Sequence, residues 1–402
     1  MRDNFKKKIL KNGMTILFEK RNIPVVSVAF AVRTGGINED IKEKGISHFI
    51  EHMLYKGTPT RNAKKLAEEI EKNGGDMNGF TSETVTAYWC KMPSKQLNIA
   101  LEVLSDLIKN PLFDEKEIEK ERKVIFEEIK MYHDNPKLYV FQEIQNALYT
   151  GTMGMSLAGT EQTMKSIDRN KLLKRFQEVY TPNNTILVVV GDADFDKLVK
   201  FAEENFGNEK GITPKQKFEI KNDVKIEKRK GIDQASLVFA YHSPLFSDKK
   251  SIAGRLLNVL MAGGMSSRLF SEIREKRNLA YAIRGDVEIN KDFAFNIIYI
   301  GTTHENVEIV KKLILKEFED VAENLTEKEL KQVKEQMIGN YQISLEDSQN
   351  QMIHLLSSEI NGDVESFYEF EKDVASVKLE DVKELAKKAA QKYSFFALVP
   401  EK

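Results

Sequence analysis

The pattern of apolar and polar positions is most regular in residues 45–57, where it has the period of an α-helix. Apolar side chains recur every three or four residues, at Ile46, Phe49, Ile50, Met53 and Leu54. The opposite face carries polar side chains, at His48, Glu51, His52 and Tyr55. This segment predicts a helix that packs one face on a core and keeps two histidines and a carboxylate on the other.

Strands and further helices are predicted on both sides of this segment by the same criterion. Runs of β-branched and apolar residues predict paired strands within 8–36, a strand at 76–92 and a buried strand at 185–190. Helical periods of apolar residues occur at 63–73, 95–109, 114–133, 169–180 and 195–205. The first half of the chain therefore combines a sheet with several helices.

The second half repeats the first half in outline. Residues 207–231 are polar and lysine-rich, which predicts a linker. After it come a strand at 235–241, a helix at 248–262 and a strand at 293–300, and the helix start at 113–118 is echoed 212 residues later. We predict an α+β fold of two related domains, 1–206 and 232–402, each a mostly antiparallel sheet with helices packed on it.

The composition is that of an ordinary globular protein, and it excludes several classes of function. The 402 residues are 41% hydrophobic and 31% charged, and a net charge of −1 leaves no basic excess for nucleic-acid binding. Cys90 is the only cysteine, which excludes an intrachain disulfide and favours a reducing compartment. The N-terminus has no apolar core of a secretory signal, and no apolar run is long enough for a bilayer. We expect a cytoplasmic enzyme.

The polar face of the helix at 45–57 has the chemistry of a metal site. His48 and His52 lie one turn apart, so their imidazoles can bind one ion, and Glu51 beside them can hold a metal-bound water. The pattern H-x-x-E-H is the inverted form of the H-E-x-x-H motif of zinc peptidases. The alternative is a solvated helix with two incidental histidines, and a third ligand would decide between the two interpretations.

The predicted helix at 114–133 offers three candidates for the third ligand, Glu121, Glu127 and Glu128. Glu121 and Glu128 share one face of that helix. Periodicity does not choose between Glu127 and Glu128, since acidic helix faces are commonly only solvated. The remaining histidines are scattered singly, at His133, His242, His304 and His354. A single metal site, in the first domain, is therefore expected.

Three stretches together resemble the pitrilysin/insulinase zinc metallopeptidases, which are inverzincins. The stretches are 48–58, with the H-x-x-E-H pattern, 74–88, which begins with two glycines, and 121–129, with Glu121 and Glu128. They are most similar to the branch that contains mitochondrial processing peptidase and its short bacterial relatives. The resemblance covers essentially the whole chain in the right order.

This resemblance implies a ligand set and a catalytic base. Glu128 lies 76 residues after His52, which is the family's spacing between its last histidine and its second glutamate. By resemblance, His48, His52 and Glu128 bind Zn²⁺ and Glu51 is the general base. Glu121 is implied to be a further catalytic-site carboxylate that supports the metal ligands.

The resemblance also implies a substrate-binding edge strand. Asn78, Phe80 and Thr81 match the stretch on which the family pairs an extended substrate, although Gly79 stands where alanine is usual. The glycine adds flexibility, and strand addition should persist because it uses backbone groups.

In the second half, Arg274 and Tyr281 match the family's Arg/Tyr pair, which contacts the scissile region of the substrate; Asn278 replaces the commoner glycine. Without the resemblance, Arg274 is one member of a basic cluster and Tyr281 an ordinary strand aromatic. Longer family members carry four such domains, whereas this chain has two. We therefore expect a homodimer in which each chain supplies this pair to the metal site of the other.

The expected function is hydrolysis of peptides or unfolded polypeptide segments by a zinc endopeptidase with an enclosed cleft. One alternative is a non-catalytic subunit, or one that needs a heterologous partner, in a processing peptidase complex. Another is a metal-independent binding module that uses only the edge at 78–81. The sequence does not distinguish substrates or cleavage specificity.

Overall fold

The computed structural model describes residues 4–401, which form two units built from non-contiguous segments. The first unit contains residues up to Lys130, together with Met155–Lys217 and Ser344–Tyr368. The second contains Met131–Gly154, Phe218–Ile343 and the chain from Glu369 onwards. Each unit has its own sheet and its own hydrophobic core.

Strands and helices alternate irregularly along the chain. The strands are β1 (Phe5–Ile9), β2 (Thr15–Lys20), β3 (Val25–Val32), β4 (Asp76–Thr81), β5 (Thr86–Pro93), β6 (Thr185–Gly191), β7 (Val224–Arg229), β8 (Ala235–His242), β9 (Ala280–Ile289), β10 (Ala294–Thr302) and β11 (Ser394–Pro400). The helices are α1 (Ile46–Leu54), α2 (Ala63–Glu71), α3 (Leu97–Lys109), α4 (Glu115–Asp134), α5 (Pro136–Leu148), α6 (Glu161–Ser166), α7 (Arg169–Val179), α8 (Phe195–Asn205), α9 (Ser251–Ala262), α10 (Val307–Asn324), α11 (Glu327–Ser344), α12 (Ser348–Ile360), α13 (Ser366–Ser376) and α14 (Leu379–Gln391). No helix within residues 4–401 combines the length and the apolar character that crossing a bilayer requires.

The sheet of the first unit has six strands in the order β1-β2-β6-β3-β5-β4. Neighbouring strands are antiparallel, except that β2 and β6 are parallel. β6 is buried along its whole length, which explains its continuous apolar run. β4 is a terminal strand of this sheet, and among the described strands it pairs with β5 alone.

The predicted strand at 76–92 is a β-hairpin, not one strand. Ser82 reverses the chain between β4 and β5, because its hydroxyl accepts hydrogen bonds from the backbone N–H groups of Thr84 and Val85. The alternation of apolar and polar residues continues through this short turn, so the pattern alone did not reveal it. The turn places β4 at the edge of the sheet.

Helices cover both faces of this sheet. On one face, Phe30 and Tyr88 belong to a core that also includes Ile50 of α1 and Leu104 of α3. The other face of β3 and β6 is covered by α12. The Ser348 hydroxyl at the start of α12 lies 2.9 Å from the Ser27 hydroxyl on β3.

The second unit has a five-stranded sheet in the order β7-β11-β8-β10-β9, antiparallel except for the pair β7 and β11. Helices α9, α10 and α14 pack together over it, and α5 packs on β8 and β11. The predicted α+β class, with two mostly antiparallel sheets and helices packed on them, is therefore confirmed.

Each unit contains one helix that comes from the other half of the chain. α5 comes from the first half and belongs to the second unit, whereas α12 comes from the second half and belongs to the first unit. The boundaries predicted from the sequence, 1–206, 207–231 and 232–402, follow the chain and contain no such exchange. Within 207–231, the last part forms β7, whose exposed lysine and glutamate side chains obscure its strand pattern.

The packing of α12 leads to a prediction for Leu355, whose side chain is fully buried in that helix. Leu355→Ala should lower the free energy of unfolding of the first unit by about 2–5 kcal/mol, because it leaves a cavity in a packed core. Trp89 of β5 is the only tryptophan, so its fluorescence in a urea titration reports on this unit. Ile9→Ala removes a 62% exposed side chain from the same unit and should cost less than about 0.5 kcal/mol. If the two variants were equally stable, the packing of α12 would not contribute to the stability of the first unit.

Candidate active site

Helix α1 has the two faces that its sequence predicts. Its apolar stripe is buried, at Ile46, Phe49, Ile50, Met53 and Leu54. His48, Glu51 and His52 lie on the other face and are only partly covered. The N-cap residue, Gly45, adopts a left-handed conformation with φ of 95°, which glycine tolerates without strain.

Because Gly45 has no side chain, the N-terminus of α1 is capped from a distance by Glu39. Its Oε1 accepts a hydrogen bond of 2.7 Å from the backbone N–H of Ser47, and its Oε2 accepts one of 2.9 Å from that of Gly45. These amides have no partner within the helix, and a carboxylate at this end also interacts favourably with the helix dipole. Glu39 therefore holds the start of the helix.

A buried lysine completes this cap. The side chain of Lys44 is fully buried, and its Nζ lies 3.8 Å from Glu39 Oε2 and 3.6 Å from Glu83 Oε2. The same Nζ donates a 3.1 Å hydrogen bond to the carbonyl of Gly36. A buried carboxylate is costly unless it is paired, so Lys44 offsets the cost of burying Glu39 and Glu83.

Three side chains from α1 and α4 converge on one point. His48 Nε2 and His52 Nε2 lie 3.1 Å apart, and each lies 3.6 Å from Glu128 Oε2. Their ligand atoms all fall within 4.8 Å of one another, and they form the one such group of histidine, cysteine or carboxylate side chains found in residues 4–401. Two imidazoles and one carboxylate are the ligand set of many catalytic zinc sites, so the residues present suit that ion.

The electrostatics of the two histidines also suit a metal ligand pair. Burial lowers the pKa of His48 to about 3, so this imidazole is neutral and keeps a lone pair. For His52, burial acts in the same direction, but the Glu121 hydrogen bond and the nearby carboxylates outweigh it and raise its pKa. A cation bound between the two rings would compete with protonation of their Nε2 atoms.

Glu121 orients one of these rings. Its Oε1 lies 2.9 Å from His52 Nδ1, and its Oε2 forms a 2.5 Å ion pair with Lys56 Nζ. A hydrogen on Nδ1 leaves the Nε2 lone pair of His52 directed towards His48 and Glu128. Glu121 is buried, and its pKa is lowered because the hydrogen bonds from His52 and Lys56 outweigh the opposing effect of burial.

Glu51 lies between α1 and β4. Its Oε2 accepts a 2.9 Å hydrogen bond from the Thr81 hydroxyl. Burial raises the pKa of Glu51, and the Thr81 hydrogen bond opposes that effect. Thr81 therefore lies at the candidate base, whereas Asn78 and Phe80 alternate with it along β4 and lie on the other face of the strand.

Arg274 and Tyr281 belong to the second unit. Arg274 lies in a π-helical segment, Phe270–Glu275, with its guanidinium 4.8 Å from the centre of the Phe270 ring. Tyr281 is on β9 and is about half exposed. Asn278 between them has a φ of 54°, a left-handed conformation that asparagine adopts more readily than most residues, which explains why it can replace glycine there. The roles of Arg274 and Tyr281 stay predictions.

Several residues at this site were not found from the sequence, namely Glu39, Lys44 and Lys56. Glu39 and Lys44 act through contacts that depend on the loop before α1, and a charged pair in a polar loop has no distinctive pattern. Lys56 lies one residue beyond Tyr55, the C-cap of α1, and only the position of α4 brings it to Glu121.

Two family models match most of the chain. The model described as Insulinase (Peptidase family M16) matches residues 15–161, and the model described as Peptidase M16 inactive domain matches residues 166–337. The chain belongs to the insulinase family, peptidase family M16. The resemblance inferred from the motifs is thereby confirmed.

Individual relatives and solved structures are similar to this chain over most of its length. An uncharacterized zinc protease of Bacillus subtilis (strain 168) is 34% identical over 385 residues, which cover 94% of this chain and 93% of that protein. An uncharacterized zinc protease of Rickettsia felis is 32% identical over 348 residues, which cover 85% of this chain and 84% of that protein. A solved structure of a protease from Helicobacter pylori has a TM-score of 0.92 at 21% identity and covers 98% of this chain and 99% of that one. A peptidase M16 inactive domain from Pseudomonas fluorescens has a TM-score of 0.89 at 19% identity, covering 99% and 98%.

The cap of α1 leads to a second prediction. Lys44→Met should lower the free energy of unfolding by about 3–5 kcal/mol, because it leaves Glu39 and Glu83 buried without their cation. Urea denaturation followed by Trp89 fluorescence measures the change. Lys42→Met, which alters an exposed lysine two residues away, should change stability by less than about 0.5 kcal/mol. If both variants matched the wild type, the buried pairs would not be what stabilises the cap.

Proposed function

We propose that this chain is a zinc-dependent endopeptidase that hydrolyses peptides or unfolded polypeptide segments. The observation that carries the proposal is the convergence of His48, His52 and Glu128 beside the partly buried carboxylate of Glu51. This combination supplies both a metal ligand set and an adjacent base, which metal-assisted hydrolysis requires. Zinc is favoured over harder cations because two of the three ligands are imidazoles.

His48, His52 and Glu128 would hold Zn²⁺, which supplies a Lewis acid that polarises a carbonyl and makes water more acidic. Glu51 takes the proton of the attacking water on Oε1, the oxygen that Thr81 does not engage, and delivers it to the leaving amine. Glu121 and Lys56 keep the His52 ring in one orientation throughout.

The substrate is proposed to bind in an extended conformation along β4. Support comes from the position of β4 at the end of its sheet, where backbone N–H and C=O groups can pair with an added strand. Asn78 and Phe80 alternate with Thr81 on this strand and would contact substrate side chains, while Thr81 stays with Glu51. An enclosed cleft around this edge is part of the same proposal.

We further propose that Arg274 and Tyr281 hold the scissile region and stabilise the oxyanion, and that a homodimer supplies them in trans. The support is that one chain carries both the set of candidate metal ligands and the Arg/Tyr pair, in different units. A subunit that needs a heterologous partner would instead remain inactive when purified alone.

The catalytic proposal predicts separate effects on metal binding and hydrolysis. Glu51→Gln should retain zinc and lose at least about 100-fold in kcat for a fluorogenic peptide, because the base is removed while the ligands remain. Glu128→Gln should lose stoichiometric zinc together with activity. Inductively coupled plasma mass spectrometry and a continuous fluorescence assay measure the two quantities.

Glu127→Gln is the matched control for the ligand assignment. Glu127 is exposed on the same helix and is outside the cluster, so its variant should keep both zinc and activity. Unchanged hydrolysis by Glu51→Gln would refute the mechanism. Zinc lost from Glu127→Gln and retained in Glu128→Gln would refute the ligand set.

The dimer proposal predicts complementation between two defective chains. Glu51→Gln and Arg274→Ala chains, co-expressed with different tags, should recover about a quarter of wild-type activity, because half of randomly paired dimers contain one intact composite site. The control pairs the Glu51→Gln chain with a chain carrying both changes and should recover nothing. Recovery in neither mixture would indicate that each site is completed within one chain.

A further inference from the structure

Three tyrosines are grouped behind Glu51 in the first unit. Tyr88 and Tyr180 join their hydroxyl groups in a 2.8 Å hydrogen bond, and the ring of Tyr55 lies 5.9 Å from that of Tyr88. The Tyr55 hydroxyl is buried and has no hydrogen-bond partner among the described residues. A buried polar group without a partner is costly in a native structure and calls for an explanation.

The explanation begins with Gly79, which faces α1 from the edge strand β4. A Cβ atom at this position would lie 2.7 Å from the Tyr55 hydroxyl oxygen and 3.2 Å from Glu51 Oε1. The hydroxyl and the carboxylate oxygen therefore border the same small space above the glycine. Any larger residue at position 79 would fill that space and collide with the hydroxyl.

The Tyr55 hydroxyl lies on the side of Glu51 that Thr81 leaves open. Thr81 engages Oε2, whereas Oε1 faces the space shared with Tyr55. Burial raises the pKa of the Tyr55 hydroxyl, so it keeps its proton and can act as a donor. A carboxylate oxygen has two lone pairs, so a hydrogen bond from Tyr55 to Oε1 leaves one for the attacking water.

We propose that Tyr55 is a positioning residue for the catalytic base: its hydroxyl occupies the space that Gly79 leaves open and donates to Glu51 Oε1 when the substrate complex forms. Catalytic hydrogen bonds of this kind are often long in the free enzyme and shorten in the complex. Glu51 is then held on both oxygens, by Thr81 and by Tyr55. The inference rests on the proposed endopeptidase function and adds a residue pair, Tyr55 and Gly79, to its machinery.

The first test removes only the hydroxyl. Tyr55→Phe keeps the ring, which lines a cavity of about 300 Å³ beside β4 together with Leu66 and Met77. We expect kcat for a fluorogenic peptide to fall about 10-fold, with KM within about twofold and zinc content unchanged, because base orientation is lost while the binding surface persists. A wild-type kcat in Tyr55→Phe would overturn the proposal.

Tyr180→Phe is the matched control, since it deletes a buried hydroxyl of the same cluster that is bonded to Tyr88 instead of facing Gly79. It should lower the melting temperature and leave kcat unchanged. A 10-fold loss of kcat in Tyr180→Phe as well would show that any disturbance of the cluster slows the reaction, and the specific role of Tyr55 would fail.

The second test is a double-mutant cycle that measures the coupling between Gly79 and Tyr55, which border the same space. Gly79→Ala should lower both the melting temperature and kcat, because its methyl group meets the Tyr55 hydroxyl. Adding Tyr55→Phe removes the closest obstacle and leaves the Ala87 carbonyl oxygen at 3.1 Å, so Gly79→Ala should lower the melting temperature less in the Tyr55→Phe background than in the wild type, while kcat stays low. Additive losses of melting temperature would overturn the shared-space geometry.

A failure of the endopeptidase function and a failure of the positioning role of Tyr55 give different results. If the wild-type chain with zinc hydrolyses no peptide, the endopeptidase function fails, yet the melting temperatures of the cycle still show whether Tyr55 and Gly79 share one space. If the wild type is active and Tyr55→Phe is equally active, the function stands and the positioning role of Tyr55 is refuted.

Discussion

The candidate active site depends on a buried carboxylate bound to the first amides of helix α1. Glu39 holds the N–H groups of Gly45 and Ser47, and Lys44 neutralises it from within the core. A helix turns about 100° for each residue, so a start shifted by a single residue would rotate both histidines and Glu51 away from their partners. The cap therefore determines the direction of every side chain that α1 contributes.

The second constraint is the distribution of charge. Glu51, Glu121 and Glu128 surround two imidazoles, and Lys56 forms an ion pair with this group through Glu121. Carboxylates this close repel one another unless further positive charge is present. A divalent cation between His48, His52 and Glu128 supplies that charge, so the electrostatics and the ligand chemistry favour the same occupant.

The sequence predicted the parts of the site that follow helical periodicity and motif spacing. The two faces of α1 and the helix that carries Glu128 required only the period of apolar residues, whereas the choice of Glu128 over Glu127 required the family spacing and agrees with the cluster of ligand atoms. Glu39 and Lys44 could not be predicted, because a loop with no periodicity brings them to the helix. Gly79 was visible only as a departure from the family pattern, and the neighbouring Tyr55 hydroxyl supplies its physical reason. The exchange of α5 and α12 was also missed, since local patterns describe helices and do not say which sheet they cover.

That exchange has a consequence for the order in which the chain can mature during synthesis. The sheet that supports α1 is complete in sequence by Gly191, but the helix that covers β3 and β6 is not made until residue 360. A nascent chain therefore lacks α12 on one face of this sheet while residues 192–360 are being made, and the long-range contact can form only after them. The unit that carries His48, His52 and Glu128 therefore completes its core only after strands β7–β10 of the second unit have been synthesised.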